Sequence, residues 1–348
     1  MQNSNRIITI LFLLCLNLPL HATNSNELIF LNWGDYMDPE VLQEFKKRTG
    51  ITVKETYFES DTERNDILVE ADGRGYDLTI VDGVTLQVLA NRGWLEPVLD
   101  ETMPNLKHID PRWRKGHPMA ETYAVPFFWG TTGIAYRKDL VKKPVTSWMD
   151  LFQPDESLRG KIGMVSETKE AIGLAMKALG HPLNSPETNH LNEVEKLLID
   201  QAPYVKTYKY VSLDKNSSLV NGDVVMAILY NGDTLMVQEF NENIAYVLPR
   251  EGGVLWIDYL AIMNSSTKKD EVRKFINFLN EPEIAARLAD YLYFATPNNA
   301  AKALMPNEYL EHPVIYPSGS ALEKSELLGK LPARVNKRRE SLMSRIVR

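Results

Sequence analysis

The one cysteine of this 348-residue chain, Cys15, lies inside an N-terminal apolar run, and no other residue choice constrains the fold as much. Residues 1–22 read as an export leader: a basic Arg6, an apolar stretch from Ile7 to Leu16, and a polar end at His21 and Ala22. The stretch is roughly ten residues, against the ~20 a membrane helix needs, and no later run approaches that length. The exported chain is therefore expected not to span a membrane. Leu14 is bulkier than lipidation of Cys15 would want. Without the leader no thiol remains, so the fold has to be held by apolar burial with no disulfide, which suits the bacterial periplasm. The roughly 326 residues that follow exceed what a single core organises, so two lobes are expected.

The order of elements points to an α/β fold. Glu27 to Asn32 reads as a strand, and the helix after it has strong boundary signals: Asp38 as cap, Pro39 in the first turn, Val41, Leu42 and Phe45 on one face, Gly50 at the end. Ile51 to Tyr57 alternates as a strand, Tyr76 to Val81 is a short apolar strand, and a helix runs through Thr85 to Asn91. A second series runs from a strand at 161–165 through helices after Glu167 and around 189–200. It continues with strands near 224–230 and 244–248, separated by a helix near 234–241. Val254 to Met263 looks like a strand returning to the first lobe, followed by helices near 269–279 and 282–292. This alternation predicts a mainly parallel sheet, whose ligands gather where strands end. Trp33, Asp35 and Asp82 fall at such ends.

Two segments carry the chemistry. Asn32-Trp33-Gly34-Asp35-Tyr36 and Leu255-Trp256-Ile257-Asp258-Tyr259 each place a carboxylate two residues from an indole and beside a tyrosine. Aromatic faces attract a cation and pack its methylenes, while a carboxylate receives its N–H donors. Taken alone, each segment reads more readily as an aromatic strand end with a solvated acid. Glu167 and Glu170, three apart in a helix's first turn, share a face where the helix dipole favours carboxylates with or without a ligand.

Charge and motif content exclude several classes. The formal charge is −7, and removal of the leader leaves 38 Lys plus Arg against 46 Asp plus Glu, so nucleic acid is an unexpected partner. There is no G-x-S-x-G, H-E-x-x-H or Walker A motif, and Gly73-x-Gly75 is too short for a dinucleotide fingerprint. The six histidines are scattered without metal-like pairing. No cofactor or metal is expected, and the chain does not read as an enzyme. The enzymatic alternative is a periplasmic glycosidase using Glu167 or Asp258; the other alternative is a sugar-binding protein, which would need fewer converging acids.

Seven short motifs, in order and spacing, are similar to the periplasmic spermidine/putrescine-binding proteins. They are the Trp33 segment, Tyr76-Asp77-Leu78, Pro126-Phe127-Phe128-Trp129-Gly130, and Ser147-Trp148-Met149-Asp150-Leu151-Phe152. Tyr230-Asn231-Gly232, Glu251-Gly252-Gly253 continuing through Val254 to Asp258, and Thr296-Pro297-Asn298 complete the set. The resemblance implies a two-lobed type II periplasmic binding fold with a hinge and an interlobe cleft that closes over an extended polyamine. It implies one lobe of residues 23–132 plus 257–302 and another of 133–256 plus 303–348. It also implies a partner at the inner membrane, either an ABC permease to which polyamine is delivered or a receptor of cyclic-di-GMP signalling to which it is reported.

By the same resemblance, Trp33, Asp35, Tyr36, Trp256 and Asp258 fall on the family's pocket positions. Glu167 and Glu170 match a pair of acids at a second-lobe helix start, and Tyr230 stands where tryptophan is usual. Two departures follow. Asp82 and Val84 replace a serine and a tyrosine, adding an acid and removing a ring, which predicts preference for triamines such as norspermidine and spermidine over putrescine. A glutamine near the C-terminus has no clear counterpart, Glu326 being the candidate. The terminal run from Lys330 to Arg348, with seven basic residues against Glu340, reads either as a solvated helix end or frayed tail or as a docking patch.

Overall fold

The computed structural model describes residues 26–347; the expected leader at 1–22, residues 23–25 and Arg348 lie outside the described residues. Ten strands form one curled sheet: β1 (Glu27–Trp33), β2 (Thr52–Phe58), β3 (Leu78–Val81), β4 (Val125–Arg137), β5 (Ile162–Gly163), β6 (Val205–Thr207), β7 (Met226–Tyr230), β8 (Ile244–Val247), β9 (Val254–Ile262) and β10 (Glu326–Leu327). Their order is β2-β1-β3-β9-β4-β7-β5-β6, with β10 added to β9 and β8 to β4. β1 runs parallel to β2 and β3, whereas β9 and β4 are antiparallel to each other and to their other long neighbours.

β4 and β9 make the fold two-lobed. β4 pairs with β9 through Thr131, then with β7 from Thr132 onward, so one 13-residue strand serves both halves of the sheet. β9 pairs with β10 at Val254 and Leu255 and reaches β3 at Tyr259 to Ile262. Strands shared in this way can flex as a hinge while their backbone hydrogen bonds persist. Gly130 sits at this crossing because a Cβ there would come within 2.2 Å of Asn231 Oδ1 and 2.4 Å of the Trp256 ring.

The buried side chains divide accordingly. One core gathers Leu31, Phe45, Ile80, Phe128, Tyr259, Phe275 and Leu288; another gathers Trp148, Phe152, Ile172, Leu198, Met226, Ile228 and Leu342; a smaller third lies under Ala135, Leu229 and Val237. Capping follows the sequence closely in the first lobe. Asp38 accepts from Glu40 N at 2.8 Å, Pro39 opens the helix Pro39–Thr49, and Gly50 ends it at φ 74°.

Three features differ from the sequence reading. Residues 303–316, expected with the second lobe, pack on the first: Met305, Tyr309 and Ile315 enter its core, and the Tyr309 hydroxyl donates to Ala289 O at 2.6 Å. The phenol needs a buried acceptor, and the carbonyl at the end of the first lobe's helix provides one. A helix absent from the sequence reading, Asp61–Glu70, buries Arg64 and Leu68. The basic terminal run is no frayed tail, since the helix Ala333–Ile346 buries Val335, Arg339, Leu342 and Met343. Arg338 donates to Asn192 at 2.7 Å and Arg345 pairs with Glu195 at 2.5 Å, which ties that helix to Thr188–Gln201.

Candidate ligand-binding cleft

The site grows out of the hinge. Trp256 and Asp258 are two apart on β9 and so project from one face of the sheet. The Trp256 ring meets Phe294 edge-on at 4.9 Å and Tyr230 at 5.9 Å. Asp258 accepts a hydrogen bond from the Tyr36 hydroxyl at 2.7 Å, and Tyr36 is wedged among Phe127, Phe128 and Phe294 with centroids 5.8–6.2 Å away. The two motifs, 222 residues apart at this bond, thus meet in space. Burial pushes the Asp258 carboxyl up to about 7; the Tyr36 bond opposes the rise and the charge of Asp61 adds to it.

The second lobe contributes a paired acid and its supports. Glu167 occupies the cap position of the helix Thr168–Ala178, where its side chain makes no capping bond, and Glu170 lies in the first turn. Glu170 is 4 % exposed and accepts from Thr132 Oγ1 at 2.6 Å and from the Tyr230 hydroxyl at 3.3 Å. Burial raises each of these carboxyls to about 7. Asp61 across the cleft contributes to the rise at Glu167, and Glu167 itself contributes at Glu170. Asp233, which the sequence reading missed, is buried in the first turn of the helix Asn231–Gln238 and accepts from the Tyr210 hydroxyl. Burial lifts it to about 6, and Tyr210 packs against Tyr230 with tilted rings 5.6 Å apart. Its clue was present: an acid three residues past an aromatic strand end, at a helix start.

The first lobe differs. Trp33 packs against Phe58 with rings tilted and centroids 4.4 Å apart, and Asp35 is exposed and held at φ 54°, where its charge adds to burial in raising Glu55 and Tyr57. Asp82 caps the helix Gly83–Asn91, accepting from Val84 N at 2.7 Å and Thr85 N at 3.0 Å on Oδ1. Its Oδ2 accepts from Thr85 Oγ1 and from Arg64 Nη2 at 3.1 Å. Four donors fill the four acceptor positions of a carboxylate. Burial alone would raise Asp82, but Arg64, then Lys169 and the Thr85 donors, outweigh it and hold the carboxyl well below its usual range. The expected free acid at Asp82 is therefore spent on a turn and a buried arginine. Glu326, likewise, pairs with Lys177 at 2.8 Å and accepts from Leu183 N, serving the second lobe's packing.

Four acids, Asp258, Glu167, Glu170 and Asp233, are raised by burial and have no salt-bridge partner among the described residues, whereas Asp61 pairs with Arg64 at 2.6 Å. Such a group resists ionisation by itself and gains when a cation enters. A family model described as bacterial extracellular solute-binding protein matches residues 40–314. The chain belongs to that family. A norspermidine sensor of Vibrio cholerae is 29% identical over 345 residues, covering 99% of this chain and 95% of that protein. A spermidine/putrescine-binding periplasmic protein of Escherichia coli is 29% identical over 313 residues, 88% of this chain and 87% of its own length. The structure of a spermidine/putrescine ABC transporter substrate-binding protein from Streptococcus pneumoniae, with calcium and HEPES, superposes at a TM-score of 0.79 and 28% identity over 92% of this chain and 98% of that one.

Membership of the solute-binding family fixes the two-lobed type II architecture and a binding rather than catalytic family role. It does not fix the solute. The binding protein AgtB from A. tumefaciens R10, solved with agropinic acid, shares the fold at a TM-score of 0.71 with only 17% identity, over 92% of this chain and 98% of that one. The solute has to be argued from the cleft's own side chains. Among the described residues no helix is long and apolar enough to cross a membrane, and no group of three or more His, Cys, Asp or Glu is arranged to hold a metal ion.

Proposed function

We propose that this solute-binding protein works in the periplasm and closes its lobes over a linear polyamine, with Asp258 as the central ammonium acceptor. The observation that carries this reading is the bond from Tyr36 to Asp258 inside a cage of Trp256, Phe294 and Tyr230, with Glu170 and Glu167 on the facing helix. Rings without charge suit the methylenes, and acids raised by burial suit the nitrogens. Each charged hydrogen bond contributes about 1.5 to 3 kcal/mol, a cation over a ring about 0.5 to 2, and each buried methylene about 0.8. Calorimetry tests it. Spermidine should bind, maltose should not, and Asp258→Ala should weaken spermidine at least about tenfold with the fold retained. Unchanged affinity in that variant would remove Asp258 from the site.

Downstream, two roles follow from this reading: delivery to an ABC importer, in keeping with the Streptococcus pneumoniae transporter protein, and reporting to an inner-membrane receptor, in keeping with the norspermidine sensor. The similarity to the norspermidine sensor, which runs over 99% of this chain, includes the basic helix Ala333–Ile346 and favours the reporting role. Closure changes the relative orientation of the lobes, and a receptor that prefers the closed form reads it. Deleting the gene should alter biofilm formation while leaving import of labelled polyamine intact; the opposite pattern assigns the protein to an importer.

A further inference from the structure

We propose that Asp61, on a helix with no apolar stripe, is the first lobe's ammonium acceptor and sets selectivity among triamines, with Arg64 and Asp82 as its positioning clamp. The inference rests on the polyamine reading and deepens it. Asp61 opens the helix Asp61–Glu70, which Ser60 caps through Glu63 N at 3.1 Å. Its Oδ1 is held 2.6 Å from Arg64 Nη1, while its Oδ2 has no hydrogen-bond partner among the described residues and the side chain stays one-third exposed. Asp82 offers the reverse: all its acceptor positions are filled from within its own lobe.

The arginine explains how the pair is divided. Arg64 is fully buried, donates to Asp82 and Thr85 with one end of its fork, and pairs with Asp61 through the other. A planar guanidinium fixes both carboxylates in direction as well as charge. Its carbon also lies 5.4 Å over the Phe58 ring, and Phe58 backs Trp33, so the clamp that aims Asp61 steadies the adjacent indole. Two carboxylates and one guanidinium leave one negative charge, and the open oxygen is on Asp61. Asp61 also bears on the rest of the site: its charge contributes to the raised carboxyls of Glu167 and Glu170, at the start of the helix Thr168–Ala178, and of Asp258 on β9. The backbone places them together: Arg64 joins Asp61 to Asp82, and Val81, just before Asp82, pairs with Tyr259, just after Asp258.

Calorimetry with spermidine, norspermidine and putrescine on the full exported chain tests this, with the melting temperature followed in parallel. Asp61→Asn should lose at least about tenfold in triamine affinity and less than about threefold for putrescine, because a diamine already finds its acids at the hinge and second lobe. Asp82→Asn loosens the clamp, so it should lower the melting temperature and weaken the triamines more than putrescine, by a smaller factor than Asp61→Asn does. Asp61→Glu keeps the charge and the partner of Arg64 but carries the carboxylate one methylene further, so it should favour norspermidine over spermidine relative to the parent. Equal losses for diamine and triamines in Asp61→Asn, or an unmoved norspermidine to spermidine ratio in Asp61→Glu, would overturn the assignment. If those variants match the parent while Asp258→Ala still fails to bind, Asp61 falls and the polyamine reading stands. If the parent binds none of the three, both fall.

Discussion

The two walls of the cleft handle negative charge in opposite ways. On the first lobe, Asp82 has four donors and Arg64 lies between it and Asp61 at 3.1 and 2.6 Å. On the second, Glu167 caps its helix without a side-chain bond and Glu170 has only two hydroxyl donors, and both rise to about 7. The first wall carries a guanidinium that offsets one of its two charges and fixes its shape; on the second, neither Glu167 nor Glu170 has a salt-bridge partner among the described residues, and the charge of Lys169, then that of Arg64, opposes the rise at Glu167. The teaching is that a count of acids does not measure a site's appetite for ammonium. What counts is how many acceptor positions remain after the protein's own donors are served.

The sharpest way to break this comparison is to remove the first wall's cation. Arg64→Met leaves Asp61 and Asp82 without their buried partner, and the loss of stability should be large, about 3 to 5 kcal/mol, as when one member of a buried pair is deleted. Chemical denaturation of the ligand-free protein measures it. A loss below about 1 kcal/mol would place Arg64 among ordinary surface pairs.

Titration separates the walls next. Glu167, Glu170 and Asp258 are raised to about 7, so the stability they contribute is complete below their ordinary carboxyl range and is lost as pH rises through about 7. Asp82 is depressed, so its contribution is present above its ordinary range and is lost only in stronger acid. The ligand-free protein should therefore gain thermal stability from about pH 8 to about pH 5.5 and lose it again below about pH 4. Spermidine affinity should run the other way, falling several-fold from about pH 8 to about pH 6, since a protonated carboxyl no longer pairs with an ammonium. Affinity that is flat across this range would mean the second wall is already charged and matched.

The smallest effect sharpens the same point. Glu170→Gln retains an acceptor for Thr132 and Tyr230 but removes a charge that burial disfavours, so at about pH 8 the ligand-free protein should become more stable by about 1 kcal/mol while binding spermidine less well. Stability and affinity moving in opposite directions at one residue marks a wall kept ready for a ligand. A matched loss of both would mark Glu170 as packing.

Legibility followed the physics of each element. The helices Lys269–Leu279 and Pro282–Leu292 came out with the bounds read from their apolar periodicity, because that face buries into the first core. The helix Asp61–Glu70 went unread because its buried positions are Arg64 and Leu68, and a charged residue on the inner face erases the periodic signal. β4 was seen only as a Pro126 to Gly130 motif. Its eleven leading residues are buried on both faces, so it shows no alternation to recognise.

The sequence by itself determined the α/β class and the kinship of the chain, and it singled out the two aromatic and acidic segments and the acids Glu167 and Glu170 as candidates. These rest on local pattern and on residue types at short spacing, which the linear order carries. The tertiary structure alone decided which acids remain available. Asp82 and Asp61 are 21 residues apart and look alike in sequence, yet one buried guanidinium and the turn at a helix start fill the first and leave an oxygen open on the second. Acceptor capacity is a property of donors brought in from elsewhere in the chain, and only folding brings them.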